Sequence, residues 1–240
     1  MLFRSIGKSS RSNPVSYVKG YDTIRQFYSE LPLSKTRNYK PAQFSFNVEG
    51  GRCETCQGEG ETVVEMQFMA DIRLTCESCN GKRFKQEVLE VEYNGKNIAD
   101  VLAMTVDDAL EFFREKKTIH DRLVPLAEVG LGYVQLGQSS SSLSGGEAQR
   151  VKLASFLGKY APSADHVLFI FDEPTRGIDV GAKAEIYAVI EKLVNDGAAV
   201  LVISSELPEL VAVCDRAYVM RDRRVVAELP RAELTEANIL

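Results

Sequence analysis

Four cysteines, a pair of adjacent acids and a glycine-rich helix start carry most of the chemistry that this sequence can do. Cys53-x-x-Cys56 and Cys76-x-x-Cys79 are separated by 19 residues, a spacing that suits four-thiolate zinc sites, where each pair makes a tight turn that points two sulfurs at one ion. Gly58, Gly60 and Gly81 give such turns backbone freedom, and Lys82 and Arg83 can offset the negative charge of a four-thiolate centre. Four protein ligands leave no open position for a water nucleophile, so Zn²⁺ held here is expected to be structural. The competing interpretation, four buried or redox-active cysteines, is weakened by the two matched pairs. Cys214 stands alone on an apolar helix face, where packing is the expected role.

The second chemical feature is the run Leu143-Ser144-Gly145-Gly146-Glu147-Ala148-Gln149-Arg150. A capped helix N-terminus with two glycines offers backbone N–H groups and a favourable dipole to a phosphate, and the Ser144 hydroxyl adds a donor. Taken alone, Ser-Gly-Gly-Glu is a plain helix start. Downstream, however, the apolar stretch Val167-Leu168-Phe169-Ile170-Phe171 delivers Asp172 and Glu173. A carboxylate at the C-terminal end of a strand can hold Mg²⁺, and its neighbour can polarise a water for attack on a γ-phosphate. Asp172 is the candidate for the metal-associated acid and Glu173 for the catalytic base. The first run matches the signature motif of ATP-binding-cassette (ABC) ATPases and the second a Walker B strand, and their order is that of the cassette class. A phosphate-binding Gly-x-x-x-x-Gly-Lys-[Ser/Thr] loop is missing, because the near match ending in Gly7-Lys8-Ser9 has Leu2 where its first glycine belongs. The switch histidine expected after the strand following Walker B is also missing: residues 200–203 run into Ser204-Ser205, and neither His120 nor His166 sits there.

These residues need elements to position them. Helical periodicity runs weakly through residues 21–31 and is expected to stop at Pro32. Alternation over residues 63–68 predicts a strand between the cysteine pairs, and Val88, Leu89, Val91 and Tyr93 predict a second strand entering an Asn94-Gly95 hairpin turn. Thr105 with Asp108 and Ser144 with Glu147 have capping-box spacing, and a further helix is expected over residues 121–129. After residue 160 the text alternates strand, helix, strand, helix, strand, which predicts a parallel α/β sheet with a buried strand at 167–171, a helix at 184–195 closed by Gly197, and a charged turn at 221–224.

Composition sets the outer limits. The chain has 240 residues, 45% hydrophobic and 26% charged, the balance of a protein with a full core, which excludes disorder as its main state. No run approaches the ~18 apolar residues of a membrane helix, and the first residues lack a secretory h-region, so a cytoplasmic protein is expected. The net charge of −5 hides an asymmetry, with nine Lys/Arg against three Asp/Glu in residues 1–52 and 20 against 31 thereafter. Tyr17, Tyr21, Phe27, Tyr28, Tyr39, Phe44 and Phe46 share the basic segment. That mixture suits either phosphate contact with base stacking or a solvated surface over an ordinary aromatic core.

From Ile6 to Asp172 the chain resembles the UvrA family, the damage-recognition ATPases of bacterial nucleotide excision repair. The runs that carry the resemblance are Ser10-Arg11-Ser12-Asn13-Pro14, Phe44-Ser45-Phe46-Asn47, Gly50-Gly51-Arg52-Cys53, Cys76 to Arg83, Asn97-Ile98-Ala99-Asp100-Val101-Leu102, Val129-Gly130-Leu131-Gly132-Tyr133 and the signature run. The resemblance implies a fragment of the second cassette with its zinc insertion, taken from a cytoplasmic homodimer. It further implies that the complete protein binds damaged double-stranded DNA, loads a UvrB-type helicase subunit and uses ATP and Mg²⁺. After Asp172-Glu173-Pro174-Thr175 the text changes. Arg176-Gly177-Ile178-Asp179 and Ser204-Ser205-Glu206-Leu207-Pro208-Glu209-Leu210 resemble the C-terminal cassette of bacterial sugar-import ATPases. The expectation is a fusion whose crossover lies between Asp172 and Arg176.

The fold class expected is therefore α/β, a partial ABC-type ATPase (P-loop NTPase-like) domain with an inserted four-cysteine zinc module and a small β segment. The expected divisions are a basic N-terminal segment (1–48), the zinc insertion (49–95), a helical and signature region (96–160) and an α/β Walker B subdomain (161–240). Catalysis falls to Glu173, nucleotide contact to Ser144, Gly145, Gly146, Glu147 and Asp172, and the metal to Cys53, Cys56, Cys76 and Cys79. Without a phosphate-binding loop the isolated chain is expected not to turn over ATP. Two alternatives stay open: an ATP-binding subunit of a sugar importer, argued from residues 172–240, and a zinc-dependent nucleic-acid-binding fragment with no turnover.

Overall fold

The computed structural model describes residues 11–64, 72–158, 167–175 and 180–239. Of these, residues 11–144 and 150–158 form one compact unit, and residues 145–149, 167–175 and 180–239 form a second. The near-match loop at Gly7-Lys8-Ser9, His166 and the run Arg176-Gly177-Ile178-Asp179 lie outside the described residues.

The first unit is built from short helices around an aromatic core. Asn13 opens α1 (Pro14–Tyr17) by accepting the Ser16 N–H on its side chain, with Pro14 in the first turn, where a missing N–H is harmless. Helix α2 (Gly20–Ser29) buries Tyr21, Ile24 and Tyr28 on one face. Pro32 does more than stop the preceding helix. It occupies the first turn of α3 (Pro32–Thr36) and so begins a new one. Tyr28, Phe44, Phe46, Phe84 and Phe113 are all 1% exposed or less. Of the seven aromatics in the basic segment, Tyr21, Tyr28, Phe44 and Phe46 are buried and Tyr17, Phe27 and Tyr39 half-buried. Tyr21, Tyr28, Phe44 and Phe46 thus belong to a core, and the base-stacking interpretation is corrected for these four.

The metal module carries a two-stranded antiparallel ribbon, β1 (Glu61–Val64) and β2 (Ile72–Thr75), with Val63, Val64, Ile72 and Leu74 all exposed. The predicted strand over 63–68 is thus seen for residues 63 and 64, and the rest lies outside the described residues. The second predicted strand is overturned. Residues 86–89 form the single helical turn α4 (Gln86–Leu89), because Val88 and Leu89 are consecutive and both buried, which the two-residue period of a half-buried strand does not allow. The Asn94-Gly95 turn is present, with both φ values positive, but it closes only a Tyr93–Lys96 bridge.

Helices α5 (Ile98–Ala103) and α6 (Val106–Phe112) each start with a complete capping box, Asn97 with Asp100 and Thr105 with Asp108. The next helix, α7 (Lys117–Glu128), begins a turn earlier than expected and holds Pro125 in its interior on the buried side. Residues 131–140 then run back through the unit. The Leu136 and Gly137 amides donate to the Met104 and Leu102 carbonyls, Leu136 O accepts from Val15, and the Ser140 amide donates to Ser12 O. This segment leads into α8 (Gly145–Leu157), which buries Val151, Leu153 and Ala154.

In the second unit, β3 (Leu168–Asp172) pairs in parallel with β4 (Ala199–Ile203) across α9 (Val180–Asn195), a right-sized crossover for a βαβ element. Helix α9 ends in a Schellman cap: the Gly197 amide, at φ +92°, donates to Val194 O and the Ala198 amide to Leu193 O. The expected buried strand is only partly so, since Phe171 is buried while Leu168 is 57% exposed. The expected parallel sheet also stops at two strands among the described residues. After α10 (Leu207–Val213), β5 (Arg216–Arg221) and β6 (Arg224–Pro230) form a separate antiparallel hairpin, and α11 (Glu236–Ile239) follows. The hairpin turn at Asp222-Arg223 has positive φ at both residues, the geometry that twists with the strands and drives antiparallel return. No helix among the described residues is long and apolar enough to cross a membrane.

Candidate metal centre and nucleotide motifs

Each cysteine pair is followed by a residue in the left-handed region and then a glycine: Gln57 and Gly58 after Cys56, Asn80 and Gly81 after Cys79. The repeated turn carries each pair back toward the other. At Gly58 the requirement is steric as well as conformational, because a Cβ there would lie 2.0 Å from the Phe46 carbonyl oxygen. The two halves are then locked by backbone bonds, Cys76 N–H to Gly60 O at 2.9 Å and Cys53 N–H to Arg83 O at 2.8 Å.

The result is that all four expected ligands meet. Cys53, Cys56, Cys76 and Cys79 are buried, and their sulfurs lie within 4.8 Å of one another. Cys53 and Cys76 sulfurs are 3.9 Å apart and Cys56 and Cys79 sulfurs 3.6 Å. Four sulfurs at tetrahedral Zn–S distance stand about 3.8 Å from each other, so these two separations match the edges of a four-thiolate site and the donor set suits Zn²⁺. Burial pushes the Cys79 thiol up to about 12. Burial also works against ionising Cys76, but the N–H groups of Cys79 and Ser78 and the neighbouring thiols outweigh it and hold that group at about 7. The Gly60 N–H donates to Cys56 Sγ at 3.2 Å, the kind of outer contact that orients a ligand. Beside the cluster, Lys85 pairs with Glu54 at 2.5 Å.

The acidic pair stands where the sequence puts it. Asp172 is the last residue of β3, in register with Ile203. Glu173 follows with φ +50°, a left-handed conformation that a non-glycine residue adopts only where its surroundings hold it. They do so here: the Glu173 amide donates to Ile203 O at 2.7 Å, and its Oε1 accepts the Ser205 amide at 3.0 Å. Ser205 lies just after β4, and no local pattern marks it as the partner of Glu173. Ser144 and Gly145 are exposed at the start of α8, Gly146 is buried and Glu147 half-buried.

Two arginines have roles that sequence reasoning misses. Arg150, at the end of the signature run, is 4% exposed and donates from Nη1 to Val129 O (3.3 Å) and Gly130 O (3.1 Å) and from Nη2 to the Tyr133 hydroxyl (3.3 Å). A guanidinium thus meets the unpaired carbonyls at the C-terminal end of α7, where the helix dipole favours a cation. Arg83 donates to the Gly137 carbonyl at 3.1 Å. The long reach of these side chains, Arg83 from a loop and Arg150 from within α8, carries no periodic signal.

A four-cysteine module joined to a signature helix and a Walker B strand defines a partial ABC-type ATPase of α/β class. Within that class the chain is similar to UvrABC system protein A. It is 50% identical over 202 residues to the protein of Rickettsia bellii, covering 84% of this chain and 21% of that one. It is 48% identical over 210 residues to the protein of Rhizobium meliloti, covering 88% and 21%. The structure of UvrA2 from Deinococcus radiodurans superposes with a TM-score of 0.82 at 41% identity, over 96% of this chain and 29% of that one. The chain is thus UvrA-like, and it spans about a fifth of the length of the curated relatives it matches. No protein-family model matches it.

Proposed function

We propose that this chain serves as part of a cytoplasmic damage-recognition ATPase of nucleotide excision repair. The observation that carries this reading is the four-cysteine cluster with sulfurs 3.6 and 3.9 Å apart, within a sequence half identical to UvrABC system protein A. The cluster takes Zn²⁺ as a structural ion. Ser144, Gly145, Gly146 and Glu147 present a helix N-terminus to a nucleotide phosphate, Asp172 serves Mg²⁺ and Glu173 is the base for the attacking water. The divisions at residues 48, 95 and 160 separate the basic segment, the zinc insertion, the signature region and the Walker B subdomain. Damaged duplex DNA, a UvrB-type helicase subunit and a second cassette-bearing copy are the partners of the complete protein. An importer subunit explains residues 172–240 alone and has no use for a four-cysteine centre, which favours the repair reading.

The test is duplex binding by the full chain across a salt series. A protein that engages phosphates through its exposed Lys19, Lys35 and Lys40 loses affinity steeply as salt rises, and ionic contacts of this kind scale with the logarithm of salt. Tighter binding to lesion-bearing than to intact duplex supports the repair reading, and absence of any duplex binding rejects it.

A further inference from the structure

Arg83 has contacts on both sides of a boundary. Its main chain belongs to the metal centre: it directly follows Lys82, whose N–H donates to the Cys79 carbonyl at 2.9 Å, and its own carbonyl accepts the Cys53 N–H at 2.8 Å. Lys82 and Arg83 together therefore bridge both cysteine pairs. The Arg83 φ of +71° is unfavourable for a side-chain-bearing residue, so the bonds of the two cysteine turns on either side hold it in a conformation it would otherwise leave. The guanidinium lies over the Phe46 ring, 5.3 Å from the centroid, and Phe46 is itself 1% exposed. From there Nη1 reaches the Gly137 carbonyl at 3.1 Å.

Gly137 lies on the return segment, seven residues before Ser144. Its amide is fixed on Leu102 O at 2.8 Å, and a Cβ at this position would meet Leu102 atoms at 2.8–2.9 Å, so the segment is seated tightly there. Its carbonyl faces Arg83. A cationic donor on a carbonyl is among the stronger neutral-partner bonds, and this one ends on the stretch that delivers the signature serine.

We propose that Arg83 is a positioning residue that couples metal loading of the four-cysteine centre to the order of residues 136–144. The ion holds the two cysteine turns together, the turns hold the Arg83 backbone in its left-handed conformation, and that conformation places the guanidinium on Gly137. Loss of the ion releases the backbone and with it the bond to Gly137. The proposal rests on the metal reading above and goes beyond it by assigning a residue and a direction to the communication.

Amide hydrogen exchange of residues 136–144 in the full chain, zinc-loaded and chelator-stripped, tests it in wild type, Arg83→Met and Arg83→Lys. In wild type, stripping speeds exchange of these amides about tenfold, the scale of one charge-assisted bond. Arg83→Met keeps its zinc and the same charge-transfer spectrum when loaded with Co²⁺, yet exchanges about tenfold faster even with metal bound and changes no further on stripping. Arg83→Lys, which keeps one donor, restores part of the metal-dependent protection and covers the case in which the methionine variant misfolds. Zinc-bound variants whose residues 136–144 retain wild-type metal-dependent protection overturn the coupling alone. A wild-type chain that takes up no zinc overturns the metal reading and the coupling with it.

Discussion

The carboxylate of Glu173 accepts the main-chain N–H of Ser205 at 3.0 Å, so the acid after the Walker B strand is tied to the loop after β4. Ser205 presents an amide where a cassette ATPase is expected to present a histidine side chain. The bond orients the carboxylate without supplying a second titratable group. Glu173→Gln keeps an oxygen that can accept the same bond, so the fold is expected to survive. In an assembly that supplies a phosphate-binding loop, loss of the base is expected to lower ATP turnover by at least about 100-fold. The isolated chain is expected to show no turnover. Hydrolysis by the isolated chain contradicts that expectation, and turnover in the complete assembly that survives Glu173→Gln rejects Glu173 as the base.

Cys53→Ser removes one of four ligands and leaves three thiols that cannot close the tetrahedron. Zinc content is expected to fall from one ion per chain to near none, with loss of protection over residues 50–95. Far-ultraviolet circular dichroism is expected to change little, because α9 and α10 belong to the other unit. An unchanged stoichiometry rejects Cys53 as a ligand.

Metal uptake at this site consumes thiolates. With Cys79 raised to about 12, at least one proton must leave when the ion binds near neutral pH. Affinity is therefore expected to rise with pH, and to fall at least about tenfold for each unit of acidification between about pH 8 and 6, as protons compete for sulfur. Competition with a chromophoric chelator across that range measures the slope. A flat profile argues against thiolate ligation.

Arg150 closes the C-terminal end of α7 from within the signature helix, with bonds to Val129 O and Gly130 O. Arg150→Ala leaves those carbonyls without their cation, and a loss of about 2–3 kcal/mol in urea unfolding is expected, the range of bonds to charged groups. Arg150→Lys keeps the charge but not the fork and is expected to fall between. An Arg150→Ala chain as stable as wild type removes this capping role.

Local chemistry is what the sequence exposes most clearly. The cysteine spacing, the capping box at Thr105, the Gly197 cap and the order β3, α9, β4 are each determined by residues close together in the chain, and all are found. Side-chain identity alone is a poorer guide where tertiary burial decides. Val88, a strand-forming type, sits with Leu89 on a buried helical turn, and Tyr21, Tyr28, Phe44 and Phe46 of the basic segment face a core. Arg83 and Arg150 act over 54 and about 20 residues of sequence through side-chain hydrogen bonds to main-chain carbonyls. Such bonds have no periodicity and leave no pattern to read.

The metal centre underlies every functional statement about the first unit, and metal analysis of the purified full chain probes it without intermediate steps. One tightly held zinc per chain is expected and, after exchange into Co²⁺, the intense sulfur-to-metal charge-transfer bands of a tetrahedral four-thiolate site. Both are expected to disappear in Cys53→Ser. A metal-free chain that takes up neither ion, with its four thiols freely titratable in the folded state, is incompatible with a zinc centre at Cys53, Cys56, Cys76 and Cys79.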